Sequence, residues 1–223
     1  MHVQPPADET ELFRRADGLA GHTLRDVATV LGVAVPTVAA RSKGWIGQLL
    51  EAALGASAGS KADPDFPALG VELKTLPVDA RGKPLESTWV CHCPVDGSLE
   101  RTWEASWVRR KLARVLWVPV LTVRGQPIGD RRLGAPLLWS PSPEEEGALR
   151  LDWTELTDMV ARGEHWQLSA RHGKVLQIRP KGATGADLTW AIDGEGDWVR
   201  INPRGFYLRP HFTAALLARH FRL

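Results

Sequence analysis

The segment Asp65-Phe-Pro-Ala-Leu-Gly-Val-Glu72-Leu-Lys74 constrains this chain more than any other stretch. Asp65 sits in a turn context beside Pro64 and Pro67. Val71 to Leu76 then reads as a strand, whose two-residue period puts Glu72 and Lys74 on one face and Val71 and Leu73 on the other, toward a core. Upstream, Trp45 to Leu54 reads as a helix closed by Gly55, with Glu51 one turn before its end. Two carboxylates and a lysine at this spacing suit magnesium-dependent phosphodiester cleavage. Mg²⁺ takes carboxylate oxygens and keeps several waters. A neighbouring lysine can orient the attacking water and offset charge building on the phosphate. The bland alternative is a solvated strand edge, which is where most Asp…Glu-x-Lys spacings occur.

The rest of the chain reads as mixed helix and strand. Thr10 to Leu19 has helical spacing, after a lead (M-H-V-Q-P-P-A-D) whose composition suggests disorder. Thr23 with Asp26 opens a second helix that stops at Gly32. Ala56 to Lys61 is a small-residue loop, either a close-approach site for a ligand backbone or an ordinary connector. Strands are expected at 71–76, 87–91 and 115–120, with a short helix near 106–112. Ser142-Pro143-Glu144 opens a long helix with an apolar stripe at Leu149, Trp153, Leu156 and Val160, ended by Gly163. Trp166–Ala170 and Lys174–Arg179 are expected to pair as a hairpin. Strands at 198–202 and 205–209 flank a Pro-Arg turn, and His211 to Phe221 forms a last helix.

Charge does not announce a partner, because 28 Lys and Arg stand against 26 Asp and Glu. Basic residues do cluster, at Arg109, Arg110, Lys111 and Arg114 and again from Arg171 to Arg209. Cys91 and Cys93 flank His92 without a second ligand pair at zinc spacing, so buried free thiols are expected. No signal-peptide pattern or transmembrane-length run is visible, which points to a cytoplasmic protein with no membrane association. His172 reads as a turn histidine, since no partner histidine falls at nuclease-motif spacing.

Asp65…Glu72-x-Lys74 is the D…E-x-K pattern of restriction-type nucleases. Around it, K-G-W-I-G-Q-L-L-E-A-A-L-G-A-S-A-G-S-K (43–61) runs into D-F-P-A-L-G-V-E-L-K-T-L-P-V-D (65–79). With W-E-A-S-W-V-R-R-K-L-A-R-V-L-W-V-P-V, G-A-P-L-L-W-S-P, A-R-H-G-K-V-L-Q-I-R-P-K, P-R-G-F-Y-L and F-T-A-A-L-L-A-R-H-F, the chain closely resembles the MutH family. These are GATC-specific, methylation-sensitive endonucleases of bacterial mismatch repair. The resemblance runs from about Leu19 onward, in order.

It implies an α/β, restriction-endonuclease-like fold: a mixed sheet with flanking helices, one domain over 1–223 with two lobes around a DNA-binding cleft. The approximate lobes are 1–140, catalytic, and 141–223, DNA-reading. It further implies that Asp65 and Glu72 are the principal Mg²⁺ ligands, completed by the Leu73 carbonyl. Glu51 would hold a second ion or its water; on residues alone it is a solvated helix position. Lys74 would stabilise the attacking hydroxide and the phosphate, leaving a 5′-phosphate and a 3′-hydroxyl. Lys43 and Lys111 fall at motif positions near the DNA backbone, where a plain surface lysine is the alternative.

Arg179-Pro180-Lys181 looks like an edge that meets bases in the major groove, where Arg bonds guanine in bidentate fashion. Tyr207, the only tyrosine, falls in the motif where an adenine N6-methyl group would be felt; the alternative is a half-buried strand tyrosine. Trp89 stands where the family pattern has phenylalanine, and Arg209-Pro210 replaces a more lysine-rich stretch.

The leading expectation is therefore a monomeric endonuclease that nicks the unmethylated strand at hemimethylated GATC. MutL would switch it on after MutS finds a mismatch. A double-strand-cutting GATC restriction enzyme is the second reading, disfavoured by a single catalytic constellation without a repeat. A non-catalytic methylation reader is the third, disfavoured by the intact Asp65, Glu72 and Lys74.

Overall fold

The computed structural model describes residues 3–37, 44–59, 63–169, 171–181 and 186–221. The chain forms two compact units, Met1–Leu85 with Ala113–Ser140 and Leu217–Leu223, and Glu86–Leu112 with Pro141–Leu216. Residues 86–112, assigned from sequence to the lobe 1–140, belong to the second unit, where their strand pairs with one from the C-terminal part.

In the first unit, helix α1 (Glu9–Asp17) starts at Asp8, whose side chain accepts the Glu11 N–H. Helix α2 (Leu24–Leu31) has the expected reciprocal cap between Thr23 and Asp26 and ends at Gly32 in the left-handed region. Helix α3 (Trp45–Leu54) likewise ends at Gly55, with φ 81°. Strand β1 (Glu72–Val78) lies parallel to β3 (Val115–Leu121), with Glu72 opposite Val115 and Lys74 opposite Trp117. Short strands β4 (Arg132–Leu133) and β5 (Leu137–Trp139) pair antiparallel with β3, which makes the sheet mixed. The run Val-Leu-Trp-Val-Pro-Val of β3 is buried throughout, as expected of a strand covered on both faces. Leu12, Leu24, Leu50, Leu54, Phe66, Val71, Leu73 and Leu116 share one core, so α1, α2 and α3 are seated around the start of β1.

In the second unit, strands β2 (Thr88–Cys93), β9 (Arg204–Leu208) and β6 (Leu176–Pro180) form a sheet in the order β2-β9-β6. Helix α4 (Trp107–Leu112) and helix α5 (Pro143–Ala161) belong to this unit, and Ser142 and Glu145 cap α5 reciprocally. The apolar stripe of α5 is buried as read. Strands β7 (Thr189–Ile192) and β8 (Trp198–Ile201) make a separate hairpin, and helix α6 spans Pro210–Phe221. Mixed sheet and flanking helices give the α/β class and agree with the restriction-endonuclease-like fold that the resemblance implies. No described helix is long and apolar enough to cross a membrane.

Two local expectations fail, and one strand went unread. Residues 166–169 form no strand, and of the expected segment 174–179 the strand starts at Leu176 and, as Leu176–Pro180, pairs with β9 instead of with them. The cause is Asp152 on α5: one carboxylate oxygen accepts the N–H groups of Lys174, Val175 and Leu176, at 2.8, 2.6 and 2.8 Å, and so fixes how the chain enters β6. Strand β7 went unread because its burial alternates weakly. The described part of the lead, residues 3–8, is not loose either. Gln4 lies so close to Gly55 that a Cβ there would come within 2.4 Å of the Gln4 carbonyl oxygen.

Candidate active site

The centre in the first unit is built by a tight return between Asp65 and β1. Phe66 and Val71 exchange backbone hydrogen bonds, N–H to O at 2.9 and 3.3 Å, across a turn with Gly70 at φ 66°. That closure brings Asp65 back beside the strand, where its Oδ2 accepts the Leu73 N–H at 2.8 Å. Glu72 and Lys74 share a face, as the strand period requires, and Lys74 Nζ lies 2.6 Å from Glu72 Oε1. Both residues are buried, at 4% and 8% exposure, which replaces the solvated strand edge with a desolvated ion pair. Charges are buried in this way only when paired, and the bond between them is of the strong, charge-assisted kind.

Glu51 lies on α3, which packs against β1. Its carboxylate folds back along the helix, with Oε1 3.7 Å from where a Cβ on Gly47 would stand. Among the described residues no three His, Cys, Asp or Glu side chains converge as a ready metal cluster. The oxygen donors of Asp65, Glu72 and the Leu73 backbone nevertheless suit Mg²⁺, which binds through one or two carboxylates and completes its octahedron with water. Softer metals are not favoured by this set, since neither sulfur nor imidazole belongs to it.

The sheet of the second unit has two different faces. Val90, Leu176, Ile178, Phe206 and Leu208 fill the core side. On the other side Trp89, Tyr207 and Gln177 lie in one row across the three strands, and Arg179 stands opposite Gly205 in the next. A bulge between Trp89 and Cys91 puts His92, three residues on, opposite Gly205 and so on the same face as Trp89. The rings of Trp89 and His92 meet edge-on at 5.0 Å, and those of Trp89 and Tyr207 at 5.2 Å.

Lys181 Nζ sits 3.3 Å from the centre of the Trp89 ring, and the Arg179 guanidinium 5.8 Å from that of Tyr207, so both cations lie on aromatic faces. Burial raises the Tyr207 hydroxyl above its ordinary pKa, against the Arg179 charge and with that of Glu86. Burial, then the Lys181 charge, lowers the His92 imidazole. A cationic, aromatic face of this kind suits nucleotide bases and phosphates.

The predicted residues thus fall into two groups: Asp65, Glu72, Leu73 and Lys74, with Glu51 on the adjoining helix, and Trp89, Arg179, Pro180, Lys181 and Tyr207. Lys43 lies outside the described residues. Lys111 does not fit the alternative of a plain surface lysine: it is 9% exposed, on the α4 face shared with Val108 and Leu112. Cys91 and Cys93 form no disulfide, and of the two only Cys93 is fully buried, which pushes its pKa up. His172 is a turn histidine as read, its Nδ1 accepting the Ser169 N–H at 3.2 Å. Sequence reasoning missed Gly205, Gln177 and His92. Gly205 could have been suspected from its place in P-R-G-F-Y-L. The others depend on a bulge and a strand register that no local pattern announces.

A family model described as "DNA mismatch repair enzyme MutH" matches residues 54–152, a span that carries Asp65, Glu72, Lys74, Trp89 and Lys111. Proteins named "DNA mismatch repair protein MutH" from Salmonella paratyphi B and Salmonella newport are each 56% identical over 221 residues. Each match covers 99% of this chain and 96% of the relative.

Proposed function

The chain belongs to the MutH family of DNA mismatch repair enzymes, and on that premise we propose that it is a Mg²⁺-dependent endonuclease that nicks the unmethylated strand at hemimethylated GATC sites. The observation that carries this reading is the buried Glu72–Lys74 pair, 2.6 Å apart, on the strand where Asp65 is bonded to the Leu73 N–H. Asp65, Glu72 and the Leu73 carbonyl would hold the ion, with Glu51 holding a second ion or its water. Bound there, Mg²⁺ supplies Lewis-acid activation of water and charge neutralisation at the phosphate.

The protein's own share is positional. Lys74, fixed by Glu72, places a cation where charge develops on the phosphate, in a site that excludes much of the water that would screen it. In-line attack by water then leaves a 5′-phosphate and a 3′-hydroxyl. Arg179 and Pro180 would meet base edges, Trp89 and Lys181 the neighbouring base or sugar, and Lys43 and Lys111 the DNA backbone. Tyr207 would sense the adenine N6 position. A monomer with one such centre nicks one strand at a time. Activation by MutL, in response to MutS, and a cytoplasmic location complete the proposal.

The test is nicking of GATC duplexes by Glu72→Ala and Lys74→Ala proteins. Both should lose cleavage in Mg²⁺ while keeping DNA binding in Ca²⁺. Near-normal cleavage by Glu72→Ala would reject the assignment.

A further inference from the structure

Helix α1 takes no part in the chemistry proposed above, yet one end is bonded to α3, which carries Glu51, and the other to Arg114, whose backbone holds the start of β1, which carries Glu72. At its C-terminal end, Arg15 Nη1 donates to the carbonyl of Leu54, at 3.2 Å, and to that of Gln4, at 2.7 Å. Leu54 is the last residue of α3, three positions beyond Glu51. A cation on the last carbonyls of a helix satisfies acceptors that have no partner within the helix and complements its dipole. Arg15 is held in place by Glu11, Nη2 to Oε1 at 2.6 Å, and Glu11 in turn accepts the Ala7 N–H at 2.7 Å. The chain entering α1 also lies on Gly55, the cap of α3, so closely that no side chain could stand there.

At the N-terminal end, Glu9 forms a two-pronged bond with Arg114, Nε to Oε1 at 3.0 Å and Nη2 to Oε2. Arg114 immediately precedes β3, and its carbonyl accepts the Glu72 N–H at 2.9 Å, the bond that starts the pairing of β1 with β3. Between these ends Leu12 and Ala16 are buried in the shared core, which locks α1 as a rigid strut.

We propose that α1 is a positioning element for the metal site: through Arg15 and Glu9 it sets the placement of Glu51 relative to Glu72. This rests on the reading of those carboxylates as metal ligands. Carboxylates gathered at one metal site repel one another, so their spacing must be imposed by the frame around them. A displacement on the order of 1 Å at a reacting centre costs about 10²-fold in rate. Neither Arg15 nor Glu9 would touch metal or DNA; each acts through the element it holds.

Mn²⁺ binding to the full chain, followed by electron paramagnetic resonance without DNA, separates positioning from mere stabilisation. Arg15→Met and Glu9→Gln should each weaken Mn²⁺ binding about tenfold and raise the Mg²⁺ concentration needed for half-maximal nicking by a similar factor. Arg15→Lys, which keeps one cationic donor and the packing of the stem, should fall between them and the parent. Exchange of the pair, Glu9→Arg with Arg114→Glu, should recover most of the lost affinity. Mn²⁺ binding within twofold of the parent in Arg15→Met, Arg15→Lys and Glu9→Gln, whatever happens to Tm, would make α1 structural only and overturn the proposal. Unchanged Mn²⁺ binding by Glu72→Ala would show that the ion is held elsewhere and overturn the underlying reading instead.

Discussion

Trp89 lies across Gly205: a Cβ on Gly205 would stand 2.0 Å from Trp89 Cζ3 and 2.6 Å from Cη2. The glycine is needed for the space above it, not for its backbone angles. With Trp89 so seated, its ring meets Tyr207 on one side and Lys181 on another. Gly205→Ala must therefore push the indole away, at an overpacking cost of about 1–3 kcal/mol. Urea denaturation should show that loss, and Trp89→Ala should remove most of it, because the clash needs both partners. Full additivity of the two changes would contradict the contact.

Asp152 anchors the entry of the chain into β6. It is 5% exposed, and a single oxygen accepts three backbone N–H groups ahead of and within β6. Asp152→Ala leaves those donors without their acceptor and should cost about 3 kcal/mol, the scale of hydrogen bonds to a charged group. Asp152→Asn should cost less. A midpoint shift in urea for Asp152→Ala no larger than for an exposed alanine substitution would show the nest to be energetically idle.

Tyr207 gives a direct pH test, since it is the chain's only tyrosine and its ionisation alone changes the phenol absorbance. Burial favours the neutral hydroxyl, so the native titration should lie above the ordinary value of 10.0. The unfolded chain ionises first as pH rises, so the stability contributed by the neutral phenol is complete below about pH 10 and is lost as pH climbs through the raised native value. Arg179 opposes the shift, so Arg179→Ala should move the titration higher still. A native midpoint at or below that of the unfolded chain would contradict the burial.

Much of the first unit was legible because its signals are local. Thr23 with Asp26, Gly32 and Gly55 mark helix ends by chemistry contained within a few residues, and the structure places the ends there. The shared face of Glu72 and Lys74 follows from the strand period alone. Their burial does not, because it depends on helices and a parallel neighbour distant in sequence. The pairing of β6 was misread for a related reason: Trp166–Ala170 is the nearer segment, but three N–H bonds to Asp152 commit the chain to β9. Lys111 shows the limit for side chains, since a charge in a basic cluster looks solvated until its helix face is known.

Arg179 and Tyr207 divide the proposed reading of GATC. Arg179→Ala should lose discrimination between GATC and altered sites, by about 1–3 kcal/mol for one bidentate contact. Tyr207→Ser should keep that discrimination and cut methylated and unmethylated strands at more similar rates. Nicking rates on matched duplex sets separate the two. Identical behaviour of the variants would dissolve the division.

The most direct test of the whole account is to incubate the protein and Mg²⁺ with unmethylated, hemimethylated and fully methylated GATC duplexes and map every nick to its strand. The account predicts nicking on the unmethylated strand of hemimethylated DNA, on either strand of unmethylated DNA, and little on fully methylated DNA, all abolished by Glu72→Ala. Equal nicking of both strands of the hemimethylated duplex, or cleavage that survives Glu72→Ala, would contradict it.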